Sequence, residues 1–294
     1  CGGTGQTPNW HPREGRRANA TMDAGGIRQN ALIRQAIRAA NQDAVLLPEA
    51  AATCYLRSAD LLFDYPFYMV CREITREPRT ELWVRRAREW LAVQQLTHSS
   101  RQQAALVRFL ENHDTVAAQD FFGVGPSQAL TALCAFVRGT LLLYQEQEIG
   151  FAPELRRWLH LRRDLPELRE GEADYLAVES SNPLVLPILR FTGASACLVA
   201  INFSPHDEDC RLTVPGPWAR RFPAWQDALT GALWRNGETI RIPAYRPVVL
   251  VGREARAAAK PAARGREPSS SHLALRRTSE TLPDGTVRHR FTCP

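Results

Sequence analysis

The apolar run Leu106-Val107-Arg108-Phe109-Leu110 stops abruptly at Glu111-Asn112-His113-Asp114. A buried strand that ends in four polar side chains, three of them able to exchange protons, must deliver them to a surface where they are used. Two other runs end the same way. Residues 43–50, DAVLLPEA, lead into Glu49, and residues 139–150, GTLLLYQEQEIG, lead into amides and carboxylates. Between such runs the period changes. Residues 27–40 place Ile27, Leu32, Ile33, Ala36 and Ile37 at roughly helical spacing. Residues 81–96, about 126–137 and 153–168 also read as helices. Strand, helix, strand, helix predicts parallel βα units. Parallel strands of α/β proteins, above all (β/α)8 barrels, carry function at their C-terminal ends.

The character changes after about residue 172. Short β-rich runs such as VLPILRFT, ACLVAINFS and TIRIPAYRPVVLVG are split by Gly, Pro, Asn and Asp. They predict a small antiparallel β domain over 173–252. Residues 1–20 read as irregular coil, with a partial barrel over 21–172. Residues 253–294 read as a basic, low-complexity linker or tail with a hairpin-like Pro-Asp-Gly turn.

With 294 residues the chain can bury a sizeable core. Its net charge of +6 comes from Arg spread along the sequence, not gathered on a recognised nucleic-acid module, so no nucleic-acid partner is expected. The paired-looking Arg156, Arg157, Arg162 and Arg163 read as a solvated helix face. No apolar run has the length of a membrane span. The seven cysteines form no C-x-x-C pair, which argues against a zinc or redox motif. Free thiols and a cytoplasmic location are the expectation. Cys197 and Cys210 could still face each other on neighbouring strands.

Two carboxylates at one barrel mouth are the equipment for glycosidic bond cleavage. One protonates the leaving oxygen while another attacks or stabilises the cationic sugar. With FLENHD, LLPEA and GTLLLYQEQEIG in this order, the sequence resembles the α-amylase superfamily, glycoside hydrolase family thirteen, over roughly residues 20–252. The resemblance implies a (β/α)8 TIM-type barrel, incomplete and represented by about strands 4 to 8, followed by a small antiparallel β-sandwich domain. It implies that Glu49 is the general acid/base and that Asp114 stabilises the transition state. Asn112, His113 and Tyr144 become the sugar-binding side chains.

The nucleophile implied is Asp23, which precedes Glu49 by 26 residues, room for one helix and one strand. The sequence departs from the family at three points. Thr21 stands where an Arg holds the nucleophile ionised, Glu146 stands where a glycine is usual, and nothing in residues 1–20 resembles the strand-three motif. Residues 18–21 lack bulky apolar side chains and read as coil rather than strand. Asp64 reads as a structural residue, and Tyr65, Phe67 and Tyr68 as core or sugar-stacking aromatics.

The expected function is that of a glycoside hydrolase or glucanotransferase acting on α-glucosidic bonds by retaining double displacement. The expected partner is an α-glucan or maltooligosaccharide, with no cofactor and no metal. The alternative is a non-catalytic, truncated remnant with at most weak glucan binding.

Overall fold

A computed structural model describes residues 16–193, 195–253, 276–281 and 287–292; before residue 24 and from residue 253 onward it describes backbone alone. The chain forms two compact units, Cys1–Ala255 and Arg256–Pro294. The first begins with α1 (Arg16–Ala40), an irregular stretch and a 3-10 turn at Thr53–Arg57. There follow β1 (Leu62–Phe63), α2 (Tyr65–Ile74), α3 (Thr80–Thr97), α4 (Ser100–Ala105) and β2 (Leu106–Arg108). Next come α5 (Ala118–Phe122), α6 (Val124–Phe136), β3 (Thr140–Leu141), α7 (Ala152–Asp164) and α8 (Pro166–Arg169). The remainder is β-rich: β4 (Glu172–Asp174), β5 (Glu179–Ser180), β6 (Val185–Phe191), β7 (Ala196–Asn202) and β8 (Glu208–Thr213), then α9 (Gly216–Arg221), β9 (Ala224–Asp227), β10 (Leu233–Trp234), β11 (Thr239–Ile242) and β12 (Pro247–Arg253). In the second unit β13 (Arg276–Thr281) pairs antiparallel with β14 (Val287–Thr292). The Pro-Asp-Gly turn between them lies outside the described residues.

The strands β1, β2 and β3 form a parallel sheet in that order. Leu62 pairs with Leu106, and Val107 with both Phe63 and Thr140. Local chemistry sets the connections. The Asp64 carboxylate accepts the Phe67 N–H at 3.1 Å and so starts α2, with Pro66 in the first turn. Ser99 and Gln102 close a capping box that starts α4 immediately before β2. Gly139, at φ 141°, lets the chain enter β3 where a Cβ would lie 2.6 Å from the Leu106 carbonyl.

The β strands after residue 172 form an antiparallel six-stranded sheet, in the order β10-β9-β12-β7-β6-β4, and a three-stranded sheet, β11-β8-β5. β7 is buried along its whole length. Its Cys197, Val199 and Ile201 join the core of α3, α6 and α7, while Ala196, Leu198 and Ala200 face the second core toward β8 and β11. A strand covered on both faces reads as a continuous apolar run, which is why its alternation is hidden in the sequence. Cys197 and Cys210 consequently belong to different cores and do not face each other; both are free.

Three expectations are corrected. Residues 18–21 are helical, not coil, because α1 continues through Gly25-Gly26. The second glycine permits close contact: a Cβ on Gly26 would sit 2.7 Å from the Tyr55 hydroxyl. Residues 43–50 form no strand: Asp43 lies in a turn, Glu49 in a bend, and the residues between are irregular. Leu46 accepts from the Asp60 N–H at 3.0 Å and the Leu61 N–H at 3.3 Å, but no ladder develops, and Pro48 has no N–H to offer one. Arg162 is not on a solvated face. It turns inward and donates to the Ala135 and Gly139 carbonyls, while Arg156, Arg157 and Arg163 are exposed.

That inward turn serves α6, whose whole C-terminal half is buried. The last carbonyls of a helix have no intrahelical donor. Here guanidinium groups supply them. Arg190 donates to Phe136 O at 2.7 Å, and also to Leu168 O at 3.2 Å and Gly171 O at 2.9 Å. Arg108 Nε donates to Arg138 O at 2.9 Å. Among the described residues no helix is long and apolar enough to cross a membrane.

The arginine that caps α6 is a point of failure: Arg190→Leu should lower stability by about 3 kcal/mol in urea unfolding, since it strips donors from three buried carbonyls. A second test concerns the docking of α1. Asp60 accepts from Arg34 Nε at 3.0 Å, from Arg38 at 2.7 Å and from the Leu46 N–H at 3.0 Å. Burial opposes its ionisation, but these hydrogen bonds and the two positive charges outweigh that and leave its pKa below the ordinary value. A depressed folded pKa gives stability that is complete above the unfolded pKa and lost as pH falls through the folded one. Asp60→Asn should therefore cost about 1–3 kcal/mol at neutral pH. The gap to wild type should close as the pH falls below about 4, as read by denaturant midpoints across the acid range.

Candidate active site

The site gathers where the parallel strands end. The chain leaves β2 through Phe109 and Leu110, both buried, into Glu111, Asn112, His113 and Asp114. Glu111 and Asn112 are buried, and the next two side chains project outward, 61% and 59% exposed. The segment is held by its own turn. Asn112 N–H donates to Thr115 Oγ1 at 2.8 Å, and Asp114 N–H donates to Asn112 Oδ1 at 3.1 Å. Asn112 therefore positions Asp114 through the backbone while its amide Nδ2 donates to the Tyr65 hydroxyl at 3.0 Å.

Glu49 arrives from the irregular segment and joins the cluster. His113 Nε2 lies 3.7 Å from Glu49 Oε1 and 3.5 Å from Asp114 Oδ1. Among the described residues these three are also the one group of His, Cys, Asp or Glu side chains placed to share a cation, with one atom from each lying within 4.8 Å of the others. They form an imidazole bracketed by two carboxylates, open to solvent.

Tyr65 completes the site. Burial raises its phenol above the ordinary value; the bond from Asn112 opposes this, and the charges of Glu49 and Asp114 add to it. The Tyr65 ring packs against Phe63 and Phe109, whose centroids lie 5.7 and 5.2 Å away. The sequence marks Tyr65 as a core or sugar-stacking aromatic; its place directly after Asp64, the residue that ends β1 and caps α2, is the local signal for its position.

Tyr144 lies on an adjoining cavity of about 300 Å³ that it shares with Asn112, Glu111, Asp120 and Glu146. Burial pushes the Glu111 carboxyl up, with Asp120 and Glu148 adding to the effect, although the Ala118 N–H donates to it. Asp23 is placed differently from its expected position at a strand end. Its backbone lies inside α1, and its side chain is outside the described residues. Asp64 is buried and structural, as the sequence suggests: it caps α2 and accepts from Gln94 Nε2 at 3.0 Å and from Arg108.

No family model matches the sequence, and no curated protein matches it. Solved structures do match. A noncanonic maltogenic α-amylase from Thermotoga neapolitana superposes with a TM-score of 0.62 at 17% identity, covering 76% of this chain and 58% of its own. An α-amylase from Geobacillus thermoleovorans, solved with acarbose, gives 0.62 at 20% identity, covering 78% and 57%. The likeness is one of fold. A cyclic α-maltosyl-(1→6)-maltose hydrolase from Arthrobacter globiformis gives 0.56 at 13% identity, covering 76% of this chain and 52% of its own. The chain thus spans less than two thirds of the structures it resembles.

Glu146 occupies the position where the sequence resemblance leads one to expect glycine, and its φ is 71°. A side chain in this left-handed region costs about 1–2 kcal/mol. Glu146→Gly should accordingly raise stability by about 1 kcal/mol, offset in part by the greater freedom of the unfolded glycine. The check is a thermal or urea midpoint above wild type; an unchanged midpoint would mean that the Glu146 side chain makes contacts equal to the strain.

Proposed function

We propose that this site acts on α-glucosidic bonds of an α-glucan or maltooligosaccharide by retaining double displacement. The convergence of Glu49 and Asp114 on His113 at the ends of a parallel sheet carries the reading. The α-amylase fold supports it, as does the acarbose bound in one of the similar structures. In this proposal residues 21–172 are the part of a (β/α)8 barrel that provides the mouth, and residues 173–252 are a β-sandwich domain behind it.

Each side chain has one task. Glu49, at the solvent-open edge, donates a proton to the glycosidic oxygen as the bond breaks, and then takes one from water or from an acceptor sugar. Asp114 and His113 hold sugar hydroxyls, and their hydrogen bonds strengthen as positive charge develops on the ring. Asn112 fixes the loop that presents them, and Tyr65 keeps the Asn112 amide oriented. Asp23 is the candidate nucleophile that forms the glycosyl-enzyme. Hydrolysis and transfer differ only in the acceptor.

A second reading, glucan binding without turnover, is favoured by one observation: the backbone at residue 23 is helical and does not end a strand. The two readings separate in one experiment. Reducing-sugar release from maltoheptaose is measured for wild type, Glu49→Gln and Asp23→Asn, together with maltoheptaose binding by calorimetry. The enzymatic reading expects turnover that falls at least about 100-fold in Glu49→Gln and further in Asp23→Asn. Binding without turnover, weakened by Asp114→Ala, selects the second reading. Neither binding nor turnover overturns both.

A further inference from the structure

The opposite end of the parallel sheet has its own cavity, of about 520 Å³, lined by Arg138, Arg162, Arg169 and Arg190, with Leu143 and Leu159 on another wall. Charged side chains rarely gather in a buried wall unless opposite charge meets them. Here most of the partners are neutral. Arg190 is 1% exposed, and its partners are the backbone carbonyls of Phe136, Leu168, Gly171 and Glu172. Arg162 donates to the carbonyls of Ala135 and Gly139. Among the described residues neither has a carboxylate within ion-pairing distance.

Two carboxylates are engaged elsewhere in the cluster. Glu172 pairs with Arg138 at 2.8 Å, and Glu170 with Arg169 at 2.6 Å on the rim. Glu167 is buried on the same short helix but does not line the cavity. The guanidinium groups also repel one another. Burial, and then the charges of Arg190 and Arg108, push the Arg162 pKa down to about 10. At neutral pH it keeps its charge, so the repulsion stays.

We propose that this cavity is a binding site for a phosphate-type oxyanion, free phosphate or a phosphate monoester, held by Arg162 and Arg169. An anion there would relieve the repulsion among the arginines, pair with the Arg162 charge that carbonyls leave uncompensated, and compete with Glu170 for Arg169 on the rim. The volume exceeds what a lone phosphate fills, and Leu143 and Leu159 offer an apolar wall to the body of an ester. The site lies by the starts of β2 and β3, away from the mouth that carries Glu49 and Asp114, so occupancy of one does not require the other.

The test uses the full chain. Thermal midpoints are measured against inorganic phosphate and against a hexose phosphate, with sodium chloride at matched ionic strength. The site predicts a saturable rise with either phosphate probe that chloride does not reproduce, and an apparent affinity about tenfold weaker in Arg169→Glu. Arg169 is exposed on the rim, so this variant should fold even where Arg162→Gln does not. A tighter effect of the hexose phosphate supports the ester as ligand, and equal effects support free phosphate. No saturable rise, a rise matched by chloride, or an unchanged affinity in Arg169→Glu overturns the site.

Discussion

Asp64 and Arg108 meet where neither touches solvent, 2% and 1% exposed. The pair joins the end of β1 to the middle of the parallel sheet, and almost every element near the mouth is tied to it. Asp64 caps α2 and takes the amide of Gln94 from α3. Arg108 donates to Gln94 Oε1 at 2.8 Å and to the carbonyl that precedes Gly139. One carboxylate and one guanidinium thus fix β1, β2, the entry to β3 and two helices in a common register. Buried pairs contribute little net stability over an apolar replacement, but they are costly to break singly and specific in geometry. Their effect here is positional. Tyr65 follows Asp64 directly and Asn112 lies four residues beyond Arg108, so the Tyr65–Asn112 bond inherits its geometry from the pair.

The antiparallel sheet does for the helices what the ion pair does for the strands. β6 and β7 are covered on both sides, so the helical layer and the three-stranded sheet share one wall. Arg190 stands on the helical side of that wall and reaches the buried carbonyls at the end of α6. A hydrophobic helix with its C-terminus inside the protein needs such donors. The demand explains why a chain of this composition spends arginines on its interior.

Much of this was legible in the sequence where the signal is long and local. α3, α6 and α7 fall where their periodicity puts them, because a helix face of several turns averages over exceptions. The run into Asp114 reads correctly because β2 is buried on both faces and stops at a polar turn. Residues 43–50 misled because an apolar run does not reveal whether a ladder partner exists. α1 misled because Gly25-Gly26 is a local breaker signal, and the contact with Tyr55 that tolerates it is long-range. The meeting of Glu49, His113 and Asp114 followed from the motif resemblance, whereas the bond between Tyr65 and Asn112 joins residues 47 apart and leaves no local trace. Arg162 was misread for the same reason: its carbonyl partners are invisible in the sequence around it.

The distribution of charge, rather than its net value, is what the fold determines. The formal excess of +6 suggests a basic surface, yet Arg108, Arg138 and Arg190 are buried. Acidic groups gather at the other end, where Glu49, Glu111, Asp114, Asp120 and Glu146 surround the mouth and its adjoining cavity. The parallel strands between the two ends are only two or three residues long, roughly 10 Å at the usual rise. The arginine-lined cavity and the acidic mouth thus lie at opposite ends of short parallel strands, so the fold separates charge along the sheet while the net charge stays +6.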